Sequence, residues 1–271
     1  MVEITDKEFK KLADYIQANY GIFLRNEKQA LLNARLSNVV EQNNFKSFSE
    51  YYDYIVSDVS GLATSILIDK VTTNYTYFMR ESEHFKYMSG MVLPYFERVI
   101  KDYDLRVWSA GCSTGEEPYT IAIMLEEYFK NKKGWDKKIL ATDISTQVLG
   151  FAKKGIYEAR QLELIPPMWK LNYFTRKSSN VYAVDELLKK EVIFRRQNLV
   201  QNFGFQFKKK FHVIFCRNVM IYFNKKTRDA LANRFYDITE PGGYLFIGHT
   251  EALDRDDTKY KYVAPAIYRK L

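Results

Sequence analysis

Two adjacent glutamates follow a glycine-containing turn in residues 108–119 (WSAGCSTGEEPY). Gly111 and Gly115 let the backbone approach a ligand closely, and the pattern predicts that a helix begins near Glu116. Helix N-termini attract anionic ligands, but Glu116 and Glu117 would repel a phosphate there. The segment therefore favours a cationic ligand, and the sulfonium and α-amino groups of S-adenosylmethionine are both cationic. Both glutamates could instead serve only to cap the helix.

Other polar residues follow predicted strands, where parallel sheets bind their ligands. Asp143 ends one apolar run and could accept hydrogen bonds from ribose hydroxyls. It lies further from Gly111 than the roughly 20 residues of a compact dinucleotide-binding unit, because a lysine-rich loop around Gly134 intervenes. Asn198 could bond an adenine edge while Leu199 packs on the ring. The same edge is expected to hold three more residues: Arg217, Asn218 and Tyr222.

A second reading of the glycine turn is a serine hydrolase. Residues 111–115 (GCSTG) match G-x-S-x-G, the nucleophile elbow of that class, and His249 follows a late apolar run, where a triad histidine belongs. However, Glu116 and Glu117 would disfavour an oxyanion near the helix start, and no HGGG-type loop precedes the elbow. We therefore favour methyl transfer over hydrolysis.

Short apolar runs alternate with helical patterns from about residue 105 onward. The runs cover residues 105–110, 139–144, 192–194, 212–216 and 244–248. Alternating strands and helices indicate an α/β fold with a parallel sheet, which would bring the polar residues above to one edge. Residues 155–191 are too long for a plain crossover and contain two strand-like runs around a polar turn. They predict an inserted subdomain with a β-hairpin.

The first 75 residues are predicted to form a small helical domain. Thr5 and Glu8 have the spacing of a capping box, and apolar residues follow at helical spacing. Residues 76–100 are predicted to be a linker and a bridging helix, the helix covering residues 82–100 with Gly90 and Pro94 inside it. Residues 101–271 would then form the larger α/β domain.

The composition narrows the class of protein. The 271 residues include 46% hydrophobic and 27% charged residues, which suits a soluble chain with a substantial core. We find no apolar run that could span a membrane and no signal peptide, and two cysteines do not make a disulfide framework. The net charge of +8 permits a nucleic acid, an acidic lipid or an acidic protein as partner. It also fits a lysine-rich solvated surface.

Four segments resemble the CheR family of chemotaxis receptor methyltransferases. They are residues 73–81 (TNYTYFMRE), 110–119, 141–144 (ATDI) and 214–223 (IFCRNVMIYF), and the resemblance covers nearly the whole chain in the same order. The resemblance implies a Rossmann-like S-adenosylmethionine-dependent methyltransferase domain with a small N-terminal all-helical domain and an inserted β-subdomain. It also implies protein-glutamate O-methyltransferase activity on the cytoplasmic helices of chemoreceptors, with S-adenosylhomocysteine as product.

The resemblance also implies which residues form the site. The cofactor contacts expected from the resemblance are Asn74, Thr76, Arg80, Glu117, Asp143, Asn198, Leu199, Arg217 and Asn218, to which the glycine turn adds Gly111. Tyr222 and Arg80 are the predicted catalytic residues, with Tyr222 beside the transferred methyl group. Arg25, Lys28 and Arg35 are predicted to dock the acidic receptor surface, although Glu27 and Glu41 are interspersed. We expect a cytoplasmic monomer that reaches membrane receptors through protein contacts, without membrane insertion and without a metal.

Two alternatives stay open at this stage. One is a regulatory module that binds S-adenosylmethionine but has lost turnover. The other is a nucleic-acid methyltransferase, which the positive charge permits. The Asn-Pro-Pro-Tyr or Asp-Pro-Pro-Tyr signature of many nucleic-acid amino-methylases is absent at the fourth predicted strand, where residues 216–219 read CRNV.

Overall fold

The computed structural model describes residues 2–201 and 207–271. The N-terminal part is helical, as predicted. Thr5 and Glu8 form the expected capping box at the start of the first helix, and Gly21 ends that helix in the left-handed conformation (φ 69°). The helices share a core of their own, to which Leu12 and Phe48 contribute fully buried side chains. These helices are α1 (Asp6–Tyr20), α2 (Gln29–Gln42), α3 (Phe48–Ser57) and α4 (Leu62–Val71).

A bridging helix follows an irregular linker, and the prediction of one helix over residues 82–100 is confirmed with one change. The helix consists of α5 (Glu83–Tyr87), a π-helical turn (Met88–Val92) and α6 (Leu93–Val99). Pro94 has no N–H to donate to the carbonyl group of Gly90, which explains why the regular hydrogen-bond pattern is interrupted just before it.

The main sheet has seven strands among the described residues, in the order β6-β2-β1-β7-β8-β10-β9. The five strands from β6 to β8 run parallel, and each corresponds to one of the five predicted apolar runs. The short antiparallel strands β9 and β10 were not predicted. The seven strands are β1 (Val107–Ala110), β2 (Ile139–Asp143), β6 (Val192–Arg196), β7 (Phe211–Cys216), β8 (Thr239–Ile247), β9 (Lys261–Ala264) and β10 (Ile267–Arg269).

Helices cover the parallel part of this sheet, so that its central strands are buried on both faces. Every residue of β7 is buried, for example. The helices between the strands are α7 (Glu116–Phe129), α8 (Thr146–Lys154) and α11 (Lys225–Asp237). The predicted α/β fold class is therefore confirmed.

The interval between α8 and β6 contains the predicted hairpin and one strand more. Its three strands form an antiparallel sheet in the order β3-β5-β4, in which β4 and β5 are the hairpin. Tyr157 of β3 donates a hydrogen bond to the carbonyl oxygen of Thr114 at 2.7 Å, so the insertion contacts the glycine turn. The elements are β3 (Ile156–Glu158), α9 (Pro167–Tyr173), β4 (Phe174–Arg176), β5 (Val181–Val184) and α10 (Glu186–Glu191).

A search of the described helices for one long and apolar enough to cross a lipid bilayer finds none.

Candidate active site

A pocket open to solvent lies beyond the carboxyl ends of β1, β2 and β7. This is the edge at which parallel sheets bind their ligands. All the predicted cofactor and catalytic residues line it. They are Asn74, Thr76, Arg80, Gly111, Glu117, Asp143, Asn198, Leu199, Arg217, Asn218 and Tyr222.

The glycine turn after β1 is shaped by close contacts. Gly111 has φ 94°, and a Cβ atom there would lie 2.3 Å from Cγ2 of Val219. Gly115 has φ 99°, and its Cβ atom would lie 2.8 Å from the hydroxyl oxygen of Tyr157. Only glycine accepts both the conformation and the space at these two positions.

Asp143 joins the ends of β1 and β2. Its carboxylate accepts hydrogen bonds from the backbone N–H groups of Ser113 at 2.8 Å and Ser145 at 3.0 Å. Burial raises the pKa of Asp143, while these N–H groups oppose the rise. Because each carboxylate oxygen can accept a second hydrogen bond, the side chain still suits two ribose hydroxyls.

The two glutamates of the glycine turn differ in position. Glu117 lines the pocket and accepts a hydrogen bond from the Ser109 hydroxyl at 2.7 Å. Glu116 does not line it. Its carboxylate is buried against Thr114 and Gln161. Neighbouring residues on a helix point about 100° apart, so only one of the two can face the pocket. The inference that both repel an anion is therefore wrong for Glu116, which has a structural role.

Arg217 is buried between two carboxylates at the floor of the pocket. Its guanidinium nitrogens lie 3.1 Å from a carboxylate oxygen of Glu81 and 3.1 Å from one of Glu117. Asn218 also donates a hydrogen bond to Glu81, at 3.3 Å. Burial tends to raise the pKa of Glu81, but the Arg217 guanidinium holds it below its usual range. The three charged groups leave one net negative charge, which suits a cationic ligand.

Glu81 was missed in the sequence, although it follows Arg80 in residues 73–81. Ligand atoms of Glu81, His84 and His249 lie within 4.8 Å of one another, and this is the one such group among the described residues with a spacing that could hold a metal ion. The carboxylate of Glu81 is already bound by Arg217 and Asn218. We assign this group no part in the reaction, and a metal-free reaction stays a prediction.

The linker between the two domains crosses the pocket and is fastened there by side chains. Arg80 donates a hydrogen bond to the carbonyl oxygen of Tyr75 at 2.8 Å. Ser113 donates to the carbonyl oxygen of Asn74 at 3.0 Å. The hydroxyl of Tyr222 donates to the carbonyl oxygen of Thr73 at 3.1 Å. The linker therefore forms one wall of the pocket.

The helical domain supplies another part of the wall, which the sequence did not reveal. Tyr20 and Ile22 line the pocket, and the backbone N–H of Phe23 donates to the carbonyl oxygen of Tyr222 at 2.8 Å. Asn198 donates its side-chain amide to the carbonyl oxygen of Asn19 at 2.8 Å. One N–H of that amide remains for an adenine edge.

The three predicted docking residues are not equivalent. Arg25 and Lys28 are exposed. The guanidinium of Arg35 donates instead to the carbonyl oxygens of Lys70 and Val71, at 3.2 and 2.9 Å, and so caps the end of α4. The prediction that Arg35 docks a substrate needs correction, because its donors hold α4 and the linker.

The hydrolase alternative finds no support. The Ser113 hydroxyl donates to the Asn74 carbonyl group, and the ring of His249 packs edge-on against His84 with centroids 4.6 Å apart. Within residues 2–201 and 207–271, no hydrogen bond joins Ser113 to His249, which a nucleophile and its base require.

Comparison with known proteins finds matches over nearly the whole chain. Residues 7–72 match the model of the CheR methyltransferase all-alpha domain, and residues 74–268 match that of the CheR methyltransferase SAM-binding domain. A chemotaxis protein methyltransferase of Borreliella burgdorferi is 42% identical over 99% of this chain and 96% of its own length. Chemotaxis protein methyltransferase 2 of Vibrio cholerae is 34% identical over 94% of this chain and 88% of its own.

A solved magnesium protoporphyrin IX methyltransferase from Synechocystis with bound SAH aligns with 78% of this chain and 70% of its own. The identity is 15% and the TM-score 0.32, so the family assignment rests on the sequence matches. The fold, the pocket and the sequence matches define an enzyme that uses S-adenosylmethionine to transfer a methyl group. The chain belongs to the CheR methyltransferase family.

Proposed function

We propose that this protein methylates glutamate side chains on the cytoplasmic helices of chemoreceptors, giving glutamate methyl esters and S-adenosylhomocysteine. The observation that carries the proposal is the convergence of eleven predicted residues on one pocket. The names of the relatives, which are chemotaxis protein methyltransferases, support the receptor as substrate.

The residues around the pocket suit a cationic cofactor. When bound, S-adenosylmethionine supplies a methyl group activated by a sulfonium. The net negative charge of Glu81, Arg217 and Glu117 favours a cation beside it. Ile22, Leu199 and Phe223 give the wall apolar surface, which limits water around the reacting atoms.

The acceptor needs no general base. A glutamate has a reference pKa of about 4.3, so its carboxylate is already ionised at neutral pH. The protein's main tasks are then to align the reacting atoms and to exclude water. We assign Tyr222 to orientation of the acceptor, because it lines the pocket and carries a neutral O–H donor there. That O–H donates to the Thr73 carbonyl group and would have to turn from it to donate to the acceptor carboxylate.

Arg80 is assigned to cofactor orientation. An arginine paired with the attacking carboxylate would stabilise the reactant more than the transition state, because the negative charge disappears as the methyl group is transferred. The hydrogen bond from Arg80 to the carbonyl oxygen of Tyr75 holds the linker wall in place.

Arg25 and Lys28 remain the docking candidates. Both are exposed and lie close in sequence to Phe23, which is tied to Tyr222. In an R25E/K28E variant we expect a raised KM for receptor membranes and an unchanged Kd for S-adenosylhomocysteine. K153E/K154E on α8 is the matched control. Receptor methylation that does not respond to added salt would contradict electrostatic docking.

The test of function is transfer of radiolabelled methyl groups to receptor membranes. Release of the label by base as methanol marks a carboxyl ester. Labelled DNA would instead indicate a nucleic-acid methyltransferase. Binding of S-adenosylmethionine with no label in any substrate would indicate a regulatory module. We further propose that the enzyme acts as a cytoplasmic monomer, which gel filtration and cell fractionation can test.

A further inference from the structure

A buried carboxylate lies behind the pocket and plays no part in the site described above. Glu251 is 7% exposed and follows β8. One carboxylate oxygen accepts hydrogen bonds from the backbone N–H groups of Gly248 at 2.5 Å and Asn218 at 2.9 Å. The other accepts from the N–H of Ile221 at 3.0 Å. Within the described residues no lysine or arginine forms an ion pair with it, so backbone amides are its main partners.

One of these donors belongs to a short 3₁₀ turn, Met220–Tyr222. The first N–H groups of such a turn have no partner inside it, and its N-cap residue Val219 offers no side-chain acceptor. Glu251 supplies that acceptor from a distant part of the chain. The turn carries Tyr222, so the carboxylate binds the turn on which the residue assigned to the acceptor lies.

Another donor, Asn218, has a left-handed backbone (φ 58°). In this conformation its N–H meets Glu251 while its side chain lines the pocket and donates to Glu81. Gly248 permits the close approach, since a Cβ atom there would lie 2.5 Å from the side-chain nitrogen of Asn218. The carboxylate therefore binds the segment after β7 at two backbone N–H groups, those of Asn218 and Ile221.

We propose that Glu251 is a positioning residue for methyl transfer, and this inference rests on the proposed roles of Asn218 and Tyr222. Glu251 does not line the pocket. It acts through residues 218–222, whose backbone it holds in the conformation that presents Asn218 to the cofactor and Tyr222 to the acceptor.

The test is E251Q, which preserves size but places an amide NH₂ group among backbone N–H donors. We expect the Kd for S-adenosylhomocysteine to rise and kcat for receptor methylation to fall, each by roughly tenfold, as small misplacements in a site do. Deuterium exchange in peptide 216–223 should become faster. If E251Q is insoluble, E251D, which keeps the charge one methylene further back, should show the same three changes at smaller amplitude.

The matched control is T239V at the other end of β8. The buried hydroxyl of Thr239 bonds the carbonyl oxygen of Phe235 at 2.7 Å and the hydroxyl of Tyr260 at 2.6 Å, far along the strand from Glu251. This variant should lower Tm without changing the Kd.

Two results would overturn the proposal. One is an E251Q variant whose Kd for S-adenosylhomocysteine and kcat for receptor methylation both equal those of the wild type. The other is a rise in Kd in T239V equal to that in E251Q. If the wild type binds S-adenosylhomocysteine but labels no receptor, the proposed substrate is wrong, while the effects on Kd and exchange still test the role of Glu251.

Discussion

Replacing Gly111 with alanine tests whether the glycine turn is as tightly constrained as the structure indicates. The new Cβ atom would meet Val219 Cγ2 at 2.3 Å, far inside van der Waals contact, in a backbone with φ 94°. The left-handed conformation costs a residue with a Cβ atom about 1–2 kcal/mol. Forcing an extra methyl group into a packed site typically costs a further 1–3 kcal/mol.

The G111A substitution should therefore cost about 2–5 kcal/mol of free energy, divided between the stability of the fold and the binding of the cofactor. Relaxation of the turn away from Val219 would appear as weaker binding of S-adenosylhomocysteine, by roughly tenfold for each 1.4 kcal/mol. V219A removes the obstructing methyl groups but leaves the backbone strain. The double variant G111A/V219A should then recover the steric part of this cost, so that the interaction free energy between the two substitutions is about 1–3 kcal/mol.

The assay is a double-mutant cycle on Tm and on calorimetric Kd, with V219A alone as the control for the cavity it creates. Strict additivity of G111A and V219A would refute the reasoning, because Val219 would then not be the obstacle. A G111A variant with both the wild-type Tm and the wild-type affinity would refute it more directly.

Three further predictions follow from single side chains. Y222F removes only the hydroxyl, which donates to the Thr73 carbonyl group and, in the proposed role, to the acceptor carboxylate. We therefore expect a fall in kcat of about tenfold with little change in Tm, and full turnover would contradict the role of Tyr222. E117Q removes a negative charge from the pocket and should weaken binding of cationic S-adenosylmethionine more than that of neutral S-adenosylhomocysteine. If calorimetric titrations showed equal losses of affinity for the two molecules, the inference that the negative charge of the pocket favours a cation would be contradicted. Burial lowers the pKa of His212 from 6.5, its value in the unfolded chain, to about 4 in the folded protein. As the pH falls, the unfolded chain therefore takes up this proton first, and about 2 kcal/mol of folding stability is lost by pH 5. H212Q should reduce the fall in Tm between pH 7 and pH 5, and an unaltered pH dependence would show that another group is responsible.

Much of the fold was predictable because its signals are local. The capping box at Thr5, the glycine after α1 and the apolar runs of the buried parallel strands each follow from neighbouring residues. β3, β9 and β10 were missed because each has only three or four residues, too few for an alternating pattern to be recognised. The equally short β4 and β5 were predicted from the polar turn between them. The placement of domain boundaries at residues 75 and 100 stays a prediction.

The candidate site also contains residues that could be placed from the sequence and others that could not. Residues that follow strands, such as Asp143 and Asn218, could be placed at one edge because the carboxyl ends of parallel strands meet there. The adjacent pair Glu116 and Glu117 could not be resolved, because which helical neighbour faces the pocket depends on the packing around α7. Arg35 looked free in the sequence, and only the position of α4 showed that its guanidinium is occupied.

By itself, the sequence determined the α/β class, the glycine turn and the cationic preference of the pocket, and its resemblance to a known family supplied the chemistry. Only the tertiary structure placed Ile22 in the wall, Glu81 against Arg217 and Glu251 behind Asn218. The reason is physical. Propensities and caps act within a few residues, whereas Glu251 contacts Asn218 across 33 positions of the chain. Contacts of that kind arise only when the strands have been ordered into a sheet.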